Sequence, residues 1–271
     1  MFHLVVAALR ILVDVAVYRL ARLEMANWVA AVSLLVALRV PPGEAAARAA
    51  WALGLNLLAY LANDFFDVEQ DLATGRAPEK TRFLADHRRA AIGAQVALAV
   101  ALVASAVAFE PELLVAFVLG GGLCVVYSRW GKRLPVVDVL SMAVWGGAMA
   151  AAGAPLTHAA ALPLLGALAL FSATFELIQV LRDRAEDVEA NVRTTAVVLG
   201  EGPTRALARL TVVGAAVYVA LSLSPWAALP VAAAVALLGG PPDRAWNRVR
   251  FALGVGWLVA LGLTWSRAGG A

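Results

Sequence analysis

The sequence has little charge, one cysteine and three histidines. Asp, Glu, Lys and Arg account for 15% of its 271 residues, below the roughly 25% that is typical of soluble domains. The single cysteine, Cys124, excludes an intramolecular disulfide and a cysteine-rich metal site. The histidines lie far apart, at His3, His87 and His158, which argues against a histidine-based metal site. The basic residues are spread over several loops and do not form one stripe, so we predict no nucleic-acid partner.

Long apolar runs dominate the chain. Hydrophobic residues make up 62% of it and are gathered into runs that short charged segments separate. A helix of about 20 apolar residues crosses a bilayer, so this pattern is typical of a protein with many membrane spans. Proline and glycine mark the breaks between runs. We predict nine spans, at about 24–40, 44–63, 89–109, 112–129, 135–154, 159–181, 203–223, 225–240 and 246–266.

The predicted fold is therefore a single all-α integral membrane domain. Residues 1–20 carry charges too frequently for a span and predict an amphipathic helix on the membrane surface. Residues 21–266 hold the nine helices of the domain. Basic residues are concentrated after the even-numbered spans, and positive charge favours the cytoplasmic side. We therefore expect a protein of the cell (inner) membrane, with these loops in the cytoplasm.

Two acidic clusters stand at the ends of the second and sixth predicted spans. The first contains Asn63, Asp64, Asp67 and Asp71, and the second contains Asp183 and Asp187. Members four residues apart share one face of a helix. Shifting the chain by about 120 positions lays Asp67 over Asp187 and also lays Asn56 over Glu176. Such an offset predicts two similar halves with a site between them, on the cytoplasmic side.

Carboxylates are costly next to hydrocarbon, which points to a functional reason for both clusters. Mg²⁺ prefers oxygen ligands and is usually held by one or two carboxylates together with substrate phosphates. Two facing clusters could therefore clamp a diphosphate and neutralise its charge as it leaves. Four nearby basic residues could reach phosphate oxygens. They are Lys80, Arg82, Lys132 and Arg133. Aromatic side chains between the spans could stabilise an allylic cation.

These motifs resemble those of the UbiA superfamily of intramembrane prenyltransferases. Its signature is Asn-Asp-x-x-Asp-x-x-x-Asp in the first half and Asp-x-x-x-Asp in the second, and both are present in the acidic clusters. The stretch from Asp183 to Gly200 is similar to the version in 4-hydroxybenzoate polyprenyltransferases, where a further acid lies at the position of Glu176. Tyr127 and Lys132 look like the family's Tyr-and-Lys loop. The resemblance implies nine helices around a central cavity, dependence on Mg²⁺ and transfer of a prenyl group from a prenyl diphosphate.

Together these observations predict four sets of site residues. The predicted metal ligands are Asn63, Asp64, Asp67, Asp71, Asp183 and Asp187. The predicted catalytic residues are the five aspartates among them and Glu176. The predicted diphosphate-binding residues are Asn63, Lys80, Arg82, Tyr127, Lys132 and Arg133. The prenyl and acceptor pocket is predicted to contain Asn56, Tyr60, Trp145 and Phe175.

Three functions are compatible with this apparatus. The first is a prenyltransferase that uses an aromatic or other lipophilic acceptor. The stretch that follows the first motif in members that prenylate aromatic acids is replaced here by Glu79–Leu84, which leaves the acceptor open. The second is a terpene cyclase of the UbiA type, in which the substrate's own double bonds capture the cation. The third is an ion-coupled transporter, which would require charges near the midplane and broken helices there.

Overall fold

The computed structural model describes residues 2–22, 24–73 and 78–268. In these ranges the chain forms helices joined by short connections, and no strand occurs among them. The helices are α1 Phe2–Ala21, α2 Ala26–Ala37, α3 Pro42–Ala73, α4 Glu79–Asp86, α5 Arg88–Phe109, α6 Leu113–Arg129, α7 Val137–Ala150, α8 Ala161–Glu189, α9 Thr195–Leu199, α10 Glu201–Ser222, α11 Pro225–Leu237 and α12 Pro242–Ala268.

Five of these helices are long and apolar enough to cross a membrane, namely α3, α5, α8, α10 and α12. Four shorter apolar helices, α2, α6, α7 and α11, coincide with the other four predicted spans. The 12 residues of α2 rise only about 18 Å, less than the roughly 30 Å of a hydrocarbon core. The chain is thus a multi-pass membrane protein, and length supports crossing for five of the nine predicted spans. The position of α1 on the membrane surface stays a prediction.

Prolines begin several helices where the sequence predicts breaks. Pro42 opens α3, Pro225 opens α11 and Pro242 opens α12. A proline in the first turn loses nothing, because the N–H groups there have no partner inside the helix. Ser224 caps α11, since its hydroxyl accepts a hydrogen bond from the Trp226 N–H at 3.2 Å. These local signals explain why the predicted starts of α3, α11 and α12 lie close to those of the structure.

Helices α3 and α8 extend well beyond the predicted ends of their spans. We predicted ends near residues 63 and 181, whereas α3 continues to Ala73 and α8 to Glu189. Both acidic clusters therefore lie on helix and not in loops. The carboxylates of each cluster stand about one turn apart along a single helix face.

The opposite end of α3 is fixed by an ionic cluster around Arg48, a buried side chain near the start of the helix. Its guanidinium contacts Glu44 at 2.8 Å, Glu110 at 3.2 Å and Glu112 at 2.6 Å. Glu112 also accepts a hydrogen bond from the Leu156 N–H at 3.0 Å. A buried cation needs such partners to offset its lost hydration. The cluster ties the start of α3 to two connections, α5–α6 and α7–α8, at the opposite end of α3 from the first acidic motif.

A π-helical turn interrupts α6 over Phe117–Gly122. Two of its glycines are buried and allow neighbouring helices to approach closely. A Cβ at Gly120 would stand 2.7 Å from the sulfur of Met149, and one at Gly121 would stand 3.1 Å from Leu55. Small residues at such crossings are typical of membrane helices.

Helices α11 and α12 meet at Gly256, which provides a matched test of this packing. A Cβ at Gly256 would lie 2.9 Å from the Ala227 carbonyl oxygen and 2.6 Å from Val231, whereas one at Gly254 would meet nothing within 4 Å. Gly256→Ala should therefore force the helices apart, which costs about 1–3 kcal/mol. Gly254→Ala should leave stability unchanged or raise it by up to about 1 kcal/mol, because alanine favours helix. Thermal unfolding in detergent measures both, and equal melting temperatures for the two variants would contradict this account of the interface.

Candidate active site

The first acidic cluster lines a pocket of about 270 Å³ between α3, α1 and α4. All four of its predicted residues contribute to the wall, together with Lys80 from α4 and Arg19 from α1. Asn63, Asp67 and Asp71 follow each other at one-turn spacing, and Asp64 lies beside them. The cluster thus forms one continuous polar surface at this end of the bundle.

Asp64 is the most enclosed carboxylate of this pocket, with a side chain only 9% exposed. One of its oxygens accepts a hydrogen bond from Arg19 at 2.5 Å, and the other accepts one from Lys80 at 2.6 Å. Arg19 also contacts Glu24 at 2.6 Å. A buried carboxylate requires such pairing. The structure therefore brings the predicted Lys80 into the site and adds Arg19, which the sequence did not single out.

The connection after α6 supplies further contacts to the same cluster. The Lys132 ammonium donates to the Asp67 carboxylate. The Ser128 hydroxyl donates to the Asn63 side-chain oxygen at 3.1 Å. Lys132 and Lys80 thus approach the cluster from two different elements, which gives it cations on both sides.

Asp71 stands at the outer end of the cluster. Burial, together with the nearby Asp67 and Asp64 carboxylates, raises its pKa above the ordinary value, and Lys80 and Lys132 only partly oppose this. The pKa shift of Asp71 thus reflects burial first and, after it, the crowding of negative charge along α3. A cation bound among these carboxylates would relieve that repulsion.

The second cluster lies at the end of α8. One Asp187 oxygen accepts a hydrogen bond from the Thr194 hydroxyl at 3.1 Å. Asp183 is about one-third exposed and contacts the guanidinium of its neighbour Arg182 at 2.8 Å. The two clusters are linked where the start of α7 meets the start of α9, because Val136, just before α7, and Asp138 of α7 both contact Thr195 of α9.

The chemistry of both clusters fits Mg²⁺, since carboxylate and amide oxygens are the ligands that this ion prefers. Across the described ranges, no group of three acidic, histidine or cysteine side chains is arranged to hold a metal ion. The carboxylates of the first cluster contact Arg19, Lys80 and Lys132 instead.

A second polar group lies deeper in the bundle. Glu176 is buried on α8 and accepts a hydrogen bond from the Tyr127 hydroxyl at 2.9 Å. Asn56 is fully buried on α3, and its NH₂ group donates to the Ala52 carbonyl at 2.9 Å. The Asn56 oxygen and the Trp145 indole N–H are buried and have no hydrogen-bond partner in the part of the chain that the structure describes. Buried polar atoms of this kind are ordinarily satisfied by water or a ligand.

Tyr60 and Phe175, the other two residues of the predicted prenyl and acceptor pocket, contact different parts of the structure. The Tyr60 hydroxyl donates to the Glu24 carbonyl, and the Arg19 guanidinium lies 4.6 Å from the Tyr60 ring centroid. Phe175 packs against Trp246 of α12, with ring centroids 5.1 Å apart. Tyr60 therefore borders the first acidic cluster, and Phe175 lies where α8 meets α12.

Arg82 and Arg133 stand apart from the cations that reach the clusters. Both side chains are exposed. Neither makes a hydrogen bond or ion pair with residues in the described ranges, and neither lines the pocket of the first cluster. The structure therefore groups only Lys80 and Lys132 of the four predicted basic residues with the carboxylates.

The chain is thus an all-helical membrane protein with an acidic cluster at the end of each of two long helices, α3 and α8. The chain belongs to the UbiA prenyltransferase family, whose profile matches residues 26–264. This match confirms the resemblance that the motifs indicate, and the members of this family are prenyltransferases. No individually curated protein matches the sequence at a significant level.

Solved structures share this fold. A structure of digeranylgeranylglyceryl phosphate synthase has a TM-score of 0.73 at 14% identity and covers 96% of this chain and 99% of its own. A UbiA homologue from Archaeoglobus fulgidus bound to GPP and Mg²⁺ has a TM-score of 0.66 at 16% identity. The same homologue bound to DMAPP and Mg²⁺ has a TM-score of 0.67 at 16% identity. Each of these two matches covers 97% of this chain and 99% of the other. At such identities the likeness establishes the fold alone.

Proposed function

We propose that the protein is a Mg²⁺-dependent intramembrane prenyltransferase that ionises a prenyl diphosphate. The observation that carries the proposal is the convergence of Lys80 and Lys132 on the carboxylates of α3, together with a second acidic cluster at the end of α8. The structures of the Archaeoglobus fulgidus homologue with GPP or DMAPP and Mg²⁺ support the choice of substrate and metal. The distribution of basic loops supports an opening toward the cytoplasm.

In this proposal the two acidic clusters bind Mg²⁺, with Asn63, Asp64, Asp67 and Asp71 on one side and Asp183 and Asp187 on the other. Mg²⁺ held by these residues would neutralise the negative charge that develops on the departing diphosphate. Lys80 and Lys132 exchange part of their contact with Asp64 and Asp67 for phosphate oxygens, which are strong acceptors for an ammonium. The exposed Arg82 and Arg133 are left out of this set.

The reaction breaks the bond between the allylic carbon and the diphosphate oxygen, and diphosphate leaves with the electron pair. The resulting cation forms a new bond to a nucleophilic carbon or oxygen of the acceptor, which then loses a proton. We assign the deeper polar group to the acceptor. The hydrogen-bonded pair of Glu176 and Tyr127 offers one polar contact. The Asn56 oxygen offers an acceptor and the Trp145 N–H a donor, and neither has a partner among the described residues. The acceptor can thus be aromatic or another lipophilic molecule with a polar head.

The test is an assay of purified protein in lipid nanodiscs with Mg²⁺ and C10, C15 or C20 prenyl diphosphates. Diphosphate release and organic products are measured with and without a phenolic acid or a glycerol phosphate lipid, and with EDTA as a control. We expect release that requires both Mg²⁺ and an acceptor. Cyclic hydrocarbons formed without acceptor would assign the chain as a terpene cyclase instead. Ion-driven uptake into vesicles with no diphosphate release would overturn both readings.

A further inference from the structure

A buried aspartate lies outside both acidic motifs, in the first turn of α7. Asp138 is fully buried. One of its oxygens accepts from the Thr195 N–H at 2.7 Å, and the other accepts from the Thr195 hydroxyl at 2.5 Å and from the Val139 N–H at 2.9 Å. No lysine or arginine of the described ranges pairs with it, so neutral donors alone satisfy this carboxylate. Burying a carboxylate in this way is costly.

The backbone beside Asp138 is also strained. Val136 adopts φ +70°, a left-handed conformation that is a genuine outlier for a β-branched residue. Its N–H donates to the Thr195 hydroxyl oxygen at 2.7 Å. A buried carboxylate and a strained valine therefore both converge on one threonine. Local strain of this kind is retained where the surrounding structure needs that geometry.

The contacts around Thr195 join two connections that reach different acidic clusters. The connection after α6 holds Lys132, which contacts Asp67 of the first cluster. The connection after α8 holds Thr194, whose hydroxyl donates to Asp187 of the second cluster at 3.1 Å. Asp138 contacts neither cluster directly, but it fixes the point at which the two connections meet.

We propose that Asp138 is a positioning residue, which, through Thr195 and Thr194, holds Asp187 in register with the first acidic cluster for metal and diphosphate binding. The proposal rests on the proposed function, because it concerns the same clusters. A positioning role differs from a purely structural one in its effect on metal binding. Partners that orient metal ligands typically change metal affinity by about 10- to 100-fold when they are removed.

The experiment measures Mn²⁺ binding to the full-length protein in nanodiscs by electron paramagnetic resonance, without substrate. We expect Asp138→Asn to raise the Kd for Mn²⁺ by about 10- to 100-fold. The NH₂ group of the asparagine would face a Thr195 donor and could not accept its hydrogen bond. Thr194→Val breaks only the contact with Asp187 and should give the same rise with little change in melting temperature. Thr195→Ser keeps the hydroxyl and should bind Mn²⁺ like the wild type.

The matched control is Thr264→Val. Thr264 is also a buried threonine, but its hydroxyl donates only to the Ala260 carbonyl of its own helix, at 2.9 Å. This variant should leave the Kd for Mn²⁺ unchanged.

A lower melting temperature of Asp138→Asn with an unchanged Kd would overturn the positioning role and make Asp138 a structural clamp. If Asp138→Asn does not fold, an unchanged Kd in Thr194→Val overturns it. A wild type that binds no Mn²⁺ and releases no diphosphate would overturn the proposed function, and this inference with it.

Discussion

Asp67→Asn is expected to lower diphosphate release by about 10²- to 10³-fold, the usual cost of losing one preorganised electrostatic contact in an active site. Asp67 stands in the middle of the acidic face of α3, between Asn63 and Asp71, and contacts Lys132. Asparagine keeps the size of the side chain but removes its charge. The loss should therefore appear in kcat, with little change in the amount of folded protein.

Glu69→Gln is the matched control for this variant. Glu69 lies two residues further along the same helix, is 79% exposed and contacts Arg88 at 3.0 Å. Surface ion pairs of this kind contribute only about 0–1 kcal/mol, so turnover should stay within about twofold of wild type. Steady-state assays with measured melting temperatures separate the two cases. Turnover of Asp67→Asn within a few-fold of wild type would remove the acidic face of α3 from the mechanism.

Lys80→Ala is expected to raise the KM for the prenyl diphosphate by about 10- to 100-fold, since a hydrogen bond to a charged group contributes about 1.5–3 kcal/mol. The Lys80 side chain is 12% exposed and lies 2.6 Å from Asp64 inside the pocket. Arg82 is carried by the same short helix, but its side chain is exposed and lies outside the pocket lining. Arg82→Ala should therefore change the KM by less than about twofold.

The variants Lys80→Ala and Arg82→Ala distinguish the prediction from the sequence, in which both residues bind the diphosphate, from that of the structure, in which only Lys80 does. From the sequence both residues are candidate phosphate ligands, because both are basic and follow the first acidic motif. Initial-rate measurements at varied diphosphate concentration give the KM directly. An equal rise in KM for both variants would mean that α4 turns when substrate binds, and would restore Arg82 to the diphosphate site.

The sequence predicts those parts of the site that local chemistry determines. The spacing of Asn63, Asp67 and Asp71 places them on one face of any helix, and α3 is helical throughout that stretch. Proline positions likewise define the starts of α3, α11 and α12. The pairing of Tyr127 with Glu176, by contrast, joins residues 49 positions apart and depends on how the helices of the bundle are arranged.

The missed contributions come from tertiary contacts that leave no local signal. Arg19 looks like an ordinary charge on an interfacial helix, and only the packing of α1 on α3 brings it to Asp64. The apolar residues that seat α1 are Ala7, Ile11 and Val15, at a spacing of four. From the sequence Asp138 could either cap its helix or face the cavity, and its contact with a threonine 57 positions away is visible only in the structure. An apolar face spaced at four residues along α1 is the one signal that could have indicated the docking of this helix.

The π-helical turn at Phe117–Gly122 sets the rotational phase of the site as well as the spacing of helices. Such a turn accommodates one extra residue within an α-helix, and each residue of a regular helix advances by about 100° around the axis. Tyr127 and Ser128 follow the turn and contact Glu176 and Asn63 respectively. If the same residues were wound as a regular α-helix, both side chains would turn by about 100° away from their partners, whereas removal of the one extra residue would restore a regular helix with both directions kept. The directions of both contacts therefore depend on the π-helical turn, which absorbs one extra residue of α6 before Tyr127 and Ser128 are reached.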